Sequence, residues 1–131
     1  MKPSKSQEHI VHPVLDPLKY EELFADARYS KIIGEASPSY LSDENTARRI
    51  KSKVPDAKII ILLRDPIERV YSHYLMDVRN GIQKKKFYQA LIEDYSSQEK
   101  GWGVSHMYVE LGLYADQVVR YMDIFDKSSL L

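Results

Sequence analysis

The clearest hydrophobic pattern in the chain lies within residues 57–81. It contains five consecutive aliphatic residues, Ile59 to Leu63, and the dipeptide Asp65-Pro66 follows shortly after them. A short aliphatic run that ends at a turn signal predicts a strand buried on both faces, as in parallel sheets. Asp65 is suited to cap a helix, and Pro66 is suited to its first position. The sequence therefore predicts a strand, a tight turn and a helix in succession.

The helix predicted after Pro66 has one apolar stripe. Its members recur at helical spacing and are Ile67, Val70, Tyr71, Tyr74, Leu75 and Val78. Gly81 is placed to end this helix. Arg64 stands at the carboxyl end of the predicted strand, the edge of an open α/β sheet where ligands bind, and a helix N-terminus there favours anions. Ser72 lies about 130° from the centre of the stripe, which excludes it from the core. These features predict an anion site.

Weaker patterns predict the elements on either side. Asp16-Pro17 begins a short helix that ends near Arg28, and Lys31–Glu35 is a second strand candidate that Ser37-Pro38-Ser39 interrupts. Ser42 or Asp43 is expected to cap a helix with an apolar face of Ala47, Ile50 and Val54. Further helices are marked by Phe87, Ala90 and Leu91 and by the segment from about Leu113 to Phe125, with Val118, Tyr121, Met122 and Phe125 on its buried side. Two strands among helices predict right-handed β-α-β units, and hence an α/β fold with a parallel sheet.

Composition narrows the class of protein. The chain has 131 residues, 44% of them hydrophobic and 29% charged, which suits one globular domain with a core. Its 19 basic and 19 acidic residues cancel, so no overall field favours nucleic acid or a membrane surface. The absence of cysteine excludes disulfides and cysteine-ligated zinc. We find neither a signal-peptide pattern nor an apolar run long enough to span a membrane, and the default expectation is a cytoplasmic protein.

Three further features each have two interpretations. His9 and His12 have the spacing of a metal pair, but no third ligand follows, so we interpret residues 1–15 as an irregular lead-in and expect no metal. Trp102 could stack on a ring of substrate or nucleotide, or pack its loop onto the core. The remaining feature is a basic run that could line a polyanion groove or form a solvated helix face, and its members are Arg48, Arg49, Lys51 and Lys53.

Three motifs, in order, resemble one enzyme family. The run Leu63-Arg64-Asp65-Pro66-x-x-Arg69-x-x-Ser72-x-Tyr74 resembles the 3′-phosphate-binding motif of sulfotransferases that use 3′-phosphoadenosine 5′-phosphosulfate (PAPS). The segment 34–41, Gly-Glu-Ala-Ser-Pro-Ser-Tyr-Leu, resembles a strand and loop of the heparan-sulfate-type and bacterial branch. Residues 112–117, Gly-Leu-Tyr-Ala-x-Gln, resemble a later helix of that branch. The resemblance covers roughly residues 30–126.

The resemblance implies a fold, a reaction and a set of residues. The fold would be a partial P-loop-NTPase-like three-layer sandwich, with a short parallel sheet flanked by helices. The reaction would transfer a sulfuryl group from PAPS, without a metal, to a hydroxyl or amine of a small-molecule or carbohydrate acceptor. Arg64 and Ser72 would bind the 3′-phosphate. Glu35 could act as general base, position the acceptor, or serve as a structural carboxylate, while Ser37, Ser39 and Tyr40 would line the acceptor side.

The sequence also departs from the family pattern. Ala36 stands where heparan-type relatives usually have a lysine, and no phosphate loop for the 5′-phosphosulfate precedes Lys31. The family's last strand and its glycine-basic loop would follow Leu131. We therefore expect residues 1–131 to form one partial domain that is inactive alone, because it lacks leaving-group stabilisation. The alternatives are a non-catalytic nucleotide- or carbohydrate-binding module on the same scaffold, or an unrelated nucleotide-binding α/β protein. Sheet edges exposed in such a chain would allow a homodimer.

Overall fold

A computed structural model describes residues 16–27 and 29–131 of the chain. The chain divides into two compact units, Met1–Ser37 and Pro38–Leu131. The predicted lead-in of residues 1–15, the His9–His12 pair and the predicted helix end at Arg28 lie outside the described residues. Within the described ranges, no helix has both the length and the apolar character needed to cross a bilayer.

The described residues of the first unit include one short helix, α1, Pro17–Glu22, which is followed by a 3-10 turn at Ala25–Ala27 and so ends before the predicted position near Arg28. Asp16 caps α1 as predicted, because its Oδ1 accepts a hydrogen bond of 2.9 Å from the Leu18 backbone N–H. The prediction of a strand at Lys31–Glu35 is wrong. Residues 32–37 have no regular structure, and the side chains of Ile32 and Ile33 are exposed. A strand needs a neighbouring strand to bond its backbone, and among the described residues no β-bridge is formed by this segment.

The second unit contains four longer helices: α2, Thr46–Lys53; α3, Pro66–Arg79; α4, Phe87–Ser96; and α5, Tyr114–Met122. Two 3-10 turns, Glu110–Gly112 and Lys127–Ser129, flank α5. All four helices were predicted, but α2 begins later than expected. Asp43 accepts hydrogen bonds from the Asn45 N–H at 3.0 Å and the Thr46 hydroxyl at 2.8 Å, so it stabilises the turn before the helix. Asn45, rather than Ser42 or Asp43, occupies the N-cap position.

The aliphatic segment that starts at Ile59 pairs along one edge with the end of the chain. Ile59 and Leu130 form a parallel bridge, the Ile59 N–H donates to the Ser129 carbonyl at 2.7 Å, and the Leu131 N–H donates to the Ile59 carbonyl at 2.8 Å. In the part of the chain that the structure describes, this bridge is the whole of the sheet. The predicted burial on both faces is wrong: Ile60 and Leu62 are 67% and 88% exposed, because only the opposite face has a described partner.

That partner is the core between α2 and α5. Ala47, Tyr121 and Phe125 are buried there, and the partly buried hydrophobic residues packed against them are Leu41, Ile50, Ala57, Ile59, Ile61, Ile124 and Leu130. The Tyr121 hydroxyl donates to the Tyr40 carbonyl at 2.8 Å, and burial raises the pKa of this phenol. Met122 and Val54, predicted to be buried, are exposed. Met122 is one residue from Tyr121, about 100° around the helix, and so turns away from the core.

Candidate functional site

The start of α3 fixes the position of Arg64. The Asp65 Oδ1 accepts a hydrogen bond of 2.9 Å from the Glu68 N–H, and Pro66 is the first helical residue, as the sequence predicts. Arg64 immediately precedes this cap. Its Nε and Nη2 atoms each lie 3.3 Å from Oε2 of Glu68, in an ion pair that is largely exposed to solvent. Arg64 therefore stands at a helix N-terminus, and its ion pair with Glu68 is weak because it is exposed to solvent.

An open concavity of about 500 Å³ lies along α3. Its lining residues are Arg64, Arg69, Ser72, His73, Leu75, Met76 and Arg79. The structure thus brings Arg64 and Ser72 to one surface, and Ser72 is exposed there as predicted. The surface carries three guanidinium groups, and Glu68 is the carboxylate paired with one of them. Such a surface favours an anionic ligand.

The inner face of α3 is polar, which the sequence analysis missed. Arg69, His73 and Asp77, spaced at i, i+4 and i+8, all contact Tyr108, which is fully buried. Arg69 donates a hydrogen bond to the Tyr108 carbonyl, the His73 ring meets the Tyr108 ring edge-on at 5.0 Å, and the Tyr108 hydroxyl donates to Asp77 Oδ2 at 2.8 Å. These contacts attach the wall of the concavity to the rest of the unit.

The apolar stripe predicted to bury α3 is largely exposed instead. Ile67 is 76% exposed, and Tyr71, Leu75 and Val78 are also exposed. Among the described residues, Phe87 contacts this side, where it meets Tyr71 and Tyr74 edge-on at 5.2 and 5.1 Å. The period of the stripe predicted the helix correctly, but the neighbours of α3 determine which face is buried.

Two buried carboxylates hold the segment around Tyr108 in place. The His106 Nδ1 lies 2.7 Å from Asp77 Oδ2. Asp94, on α4, accepts hydrogen bonds from the backbone N–H groups of His106 at 2.7 Å and Tyr108 at 2.9 Å. Met107, between them, has a positive φ of 51°, which is uncommon for a residue with a side chain. This network joins α3, α4 and the segment that leads into α5.

Burial controls the protonation of the groups behind the concavity. It lowers the pKa of His73 below its usual 6.5; Asp77 and Asp94 oppose this shift, and Arg69 and His106 reinforce it. Burial also lowers the pKa of Arg69 and raises that of the Tyr108 phenol. His73 is therefore favoured in its neutral form, and Tyr108 remains a hydrogen-bond donor to Asp77.

A close approach at Gly112 joins two of the motifs found in the sequence. A Cβ atom on Gly112 would lie 3.3 Å from Arg69 Nε and 3.4 Å from Pro66 Cβ. The turn Glu110–Gly112 therefore packs directly against the first turns of α3, next to a buried Arg69 Nε that has no hydrogen-bond partner among the described residues. Glycine at this position lets the turn pack against the Arg69 side chain that lines the concavity.

Of the other predicted site residues, Ser39 and Tyr40 belong to the same unit as this concavity but do not line it. Glu35 and Ser37 belong to the first unit. In the second unit, the Ser39 carbonyl accepts a hydrogen bond of 3.1 Å from the Ser42 hydroxyl, and the Tyr40 carbonyl accepts one from Tyr121. Roles for these residues at an acceptor site stay predictions. Trp102 is 62% exposed, which does not support the interpretation that it packs its loop onto the core.

Comparison with known proteins establishes the family. A sequence profile described as the sulfotransferase family matches residues 5–124. The chain belongs to the sulfotransferase family. This confirms the resemblance drawn from the three motifs.

Several characterised relatives share parts of the sequence. The chain is 41% identical over 61 residues to the membrane-associated sulfotransferase kil1 of Dictyostelium discoideum, covering 47% of this chain and 13% of the relative. It is 28% identical over 132 positions to human carbohydrate sulfotransferase 15, covering 76% and 24% of the two chains. It is 26% identical over 113 residues to human heparan sulfate glucosamine 3-O-sulfotransferase 6, covering 86% and 32%. The chain thus spans less than a third of the length of these relatives.

One solved structure has a similar fold. The crystal structure of a sulfotransferase from Alicyclobacillus acidocaldarius matches with a TM-score of 0.84 and 34% identity. The match covers 92% of this chain and 49% of that one, so this chain corresponds to about half of the bacterial enzyme.

Proposed function

We propose that this chain binds the 3′-phosphate of PAPS and serves in sulfuryl transfer to a hydroxyl or amine acceptor. The observation that carries the proposal is that Arg64 and Ser72 line one concavity along α3. No described residue hydrogen-bonds the Ser72 hydroxyl, so it is available to a ligand. Family membership supports the reaction class, and the geometry supports the position of the donor phosphate.

The chemistry of the concavity suits a phosphate ester. A 3′-phosphate is close to a dianion at neutral pH, and charge-assisted hydrogen bonds from a guanidinium are strong and directional. For Arg64 to bind it, the guanidinium must leave Glu68. Exposed ion pairs of this kind contribute only about 0–1 kcal/mol, so the exchange costs little. Ser72 then adds a neutral hydroxyl donor to the same phosphate.

The proposed reaction also needs a site for the acceptor. We propose a carbohydrate acceptor, since relatives of the chain are named carbohydrate and heparan sulfate sulfotransferases. Glu35 would act there as general base or hold the acceptor, and Ser37, Ser39 and Tyr40 would line the acceptor side. Residues 1–131 would supply the half-site for the 3′-phosphate within a three-layer sandwich.

The test is a calorimetric comparison of two nucleotides, 3′-phosphoadenosine 5′-phosphate (PAP) and 5′-adenosine monophosphate (5′-AMP). The wild-type chain should prefer PAP, and Arg64→Ala should lose about 1.5–3 kcal/mol of PAP binding, roughly ten- to a hundredfold in affinity. Arg48→Ala is the matched control, because Arg48 is an exposed arginine on α2 outside the concavity. Equal affinity of the wild-type chain for the two nucleotides would refute the proposal.

A further inference from the structure

The concavity contains a guanidinium that the family motif does not assign, that of Arg79, the last residue of α3. We propose that Arg79 is a second arginine on the same 3′-phosphate as Arg64, so that the dianion is held between two guanidinium groups. This inference rests on the function proposed above and adds a specificity-determining residue to it.

Helix geometry allows Arg79 to reach the phosphate. Ser72 and Arg79 are seven residues apart, about two turns or 10.5 Å along the same face of α3. Side chains on a helix lean toward its N-terminus, so the long side chain of Arg79 extends back over the turn that contains Leu75 and Met76. Arg64 approaches from the opposite end of α3. An anion seated at Ser72 therefore lies between the two arginines.

Of the three arginines that line the concavity, Arg79 is the one whose side chain has no partner among the described residues. Arg64 is paired with Glu68, and Arg69 donates to the Tyr108 carbonyl. In residues 16–27 and 29–131, by contrast, no group forms a hydrogen bond or ion pair with the Arg79 side chain. A phosphate dianion has oxygens enough for two guanidinium groups, and each bond would be charge-assisted.

A structural role for Arg79 must be separated from this one. A basic residue in the last turn of a helix interacts favourably with the helix dipole, so Arg79 would contribute to stability even without a ligand. A purely structural role predicts that Arg79→Ala lowers the resistance of the chain to urea and leaves its choice between nucleotides unchanged. The preference for PAP over 5′-AMP is therefore the decisive measurement.

The experiment titrates PAP and 5′-AMP into five proteins: wild type, Arg79→Ala, Arg79→Lys, Arg64→Ala and the control Arg48→Ala. Arg79→Ala should bind PAP about tenfold more weakly with 5′-AMP affinity unchanged, and Arg79→Lys should recover part of the loss, because lysine keeps the charge without the guanidinium fork. Arg48→Ala serves as control, and urea unfolding establishes that each variant is folded.

The outcomes separate the two proposals. If the wild-type chain does not distinguish PAP from 5′-AMP, the proposed function fails and this inference fails with it. If Arg64→Ala abolishes a real preference while Arg79→Ala leaves it intact, the proposed function stands and the role of Arg79 is refuted. Equal weakening of both nucleotides in Arg79→Ala also refutes it, since the effect would not depend on the 3′-phosphate.

Discussion

Arg64 and Glu68 form an ion pair one helical turn apart, in which two nitrogens of the arginine lie 3.3 Å from the same carboxylate oxygen. The pair stands beside the concavity that we assign to the 3′-phosphate. A carboxylate and a phosphate compete for the same guanidinium donors, so under the proposed function Glu68 would compete with the ligand for Arg64.

Removing this competitor should strengthen nucleotide binding. In Glu68→Gln the charge of residue 68 is lost, and Arg64 is released at the expense of an exposed pair that contributes about 0.2–1 kcal/mol. We expect PAP affinity to rise by about 1.5- to fivefold in calorimetry, with the largest gain at low salt. Glu93→Gln is the control, because it breaks the exposed pair of Glu93 with Lys85 outside the concavity. Weaker PAP binding by Glu68→Gln would contradict the assignment of Arg64.

The buried carboxylate of Asp77 should be important for stability. Asp77→Asn removes the charge that accepts hydrogen bonds from Tyr108 and His106, and we expect a loss of about 2–4 kcal/mol in the free energy of unfolding. Urea denaturation measures this loss. Tyr108→Phe, which deletes one hydroxyl, should lose less, and Asp123→Asn at an exposed position should stay within about 0.5 kcal/mol of wild type. If Asp77→Asn left the free energy of unfolding unchanged, the network around Tyr108 would not stabilise the fold.

A side chain at Gly112 should destabilise the fold. In Gly112→Ala the new methyl group would press against Arg69 Nε at 3.3 Å and Pro66 Cβ at 3.4 Å. We expect about 1–3 kcal/mol of destabilisation, as for other overpacked sites, measured by urea denaturation. Gly34→Ala is the matched control, because a Cβ there meets nothing within 4 Å. If the two variants were equally stable, the turn at Gly112 would not be packed against α3 as described.

His73 should make the stability of the fold depend on pH. Its folded-state pKa lies below the usual 6.5, chiefly because it is buried, so the unfolded chain binds a proton more readily than the folded chain does. The contribution of neutral His73 to the free energy of unfolding is therefore complete above about pH 6.5. It is lost as the pH falls toward the folded-state pKa of His73. Urea denaturation between pH 8 and pH 5 should show that the free energy of unfolding falls less with decreasing pH in His73→Gln than in wild type. Parallel curves for the two proteins would refute this role for His73.

The sequence was most informative where a single local signal determines the structure. The cap and proline at Asp65-Pro66 located the start of α3, and the motif placed Arg64 and Ser72 on the surface that they share. It was least informative about burial. Periodicity shows that residues 66–79 form a helix, but only the partner Tyr108 determines that Asp77, and not Ile67, is buried.

The strands show the same limit for a different reason. The short segment Lys31–Glu35 and the aliphatic run 59–63 were both predicted to be extended, but a sheet forms only where another segment supplies the hydrogen bonds. Ile59 forms a parallel β-bridge with Leu130 along one edge, whereas Ile33 forms no β-bridge with any described residue. Pairing between distant segments is not encoded in the local pattern of either one.

The pairing at Ile59 determines when this part of the chain can become ordered. The neighbouring Lys58 amino group donates a hydrogen bond to the Ser128 carbonyl, 70 positions along the chain. At synthesis rates of about 5–20 residues per second, the partner emerges roughly 4–14 s after Lys58, whereas a helix such as α3 forms within microseconds. The aliphatic segment is therefore synthesised those seconds before the described residues that pair with its backbone, and we expect that edge to be accessible to chaperones in the interval.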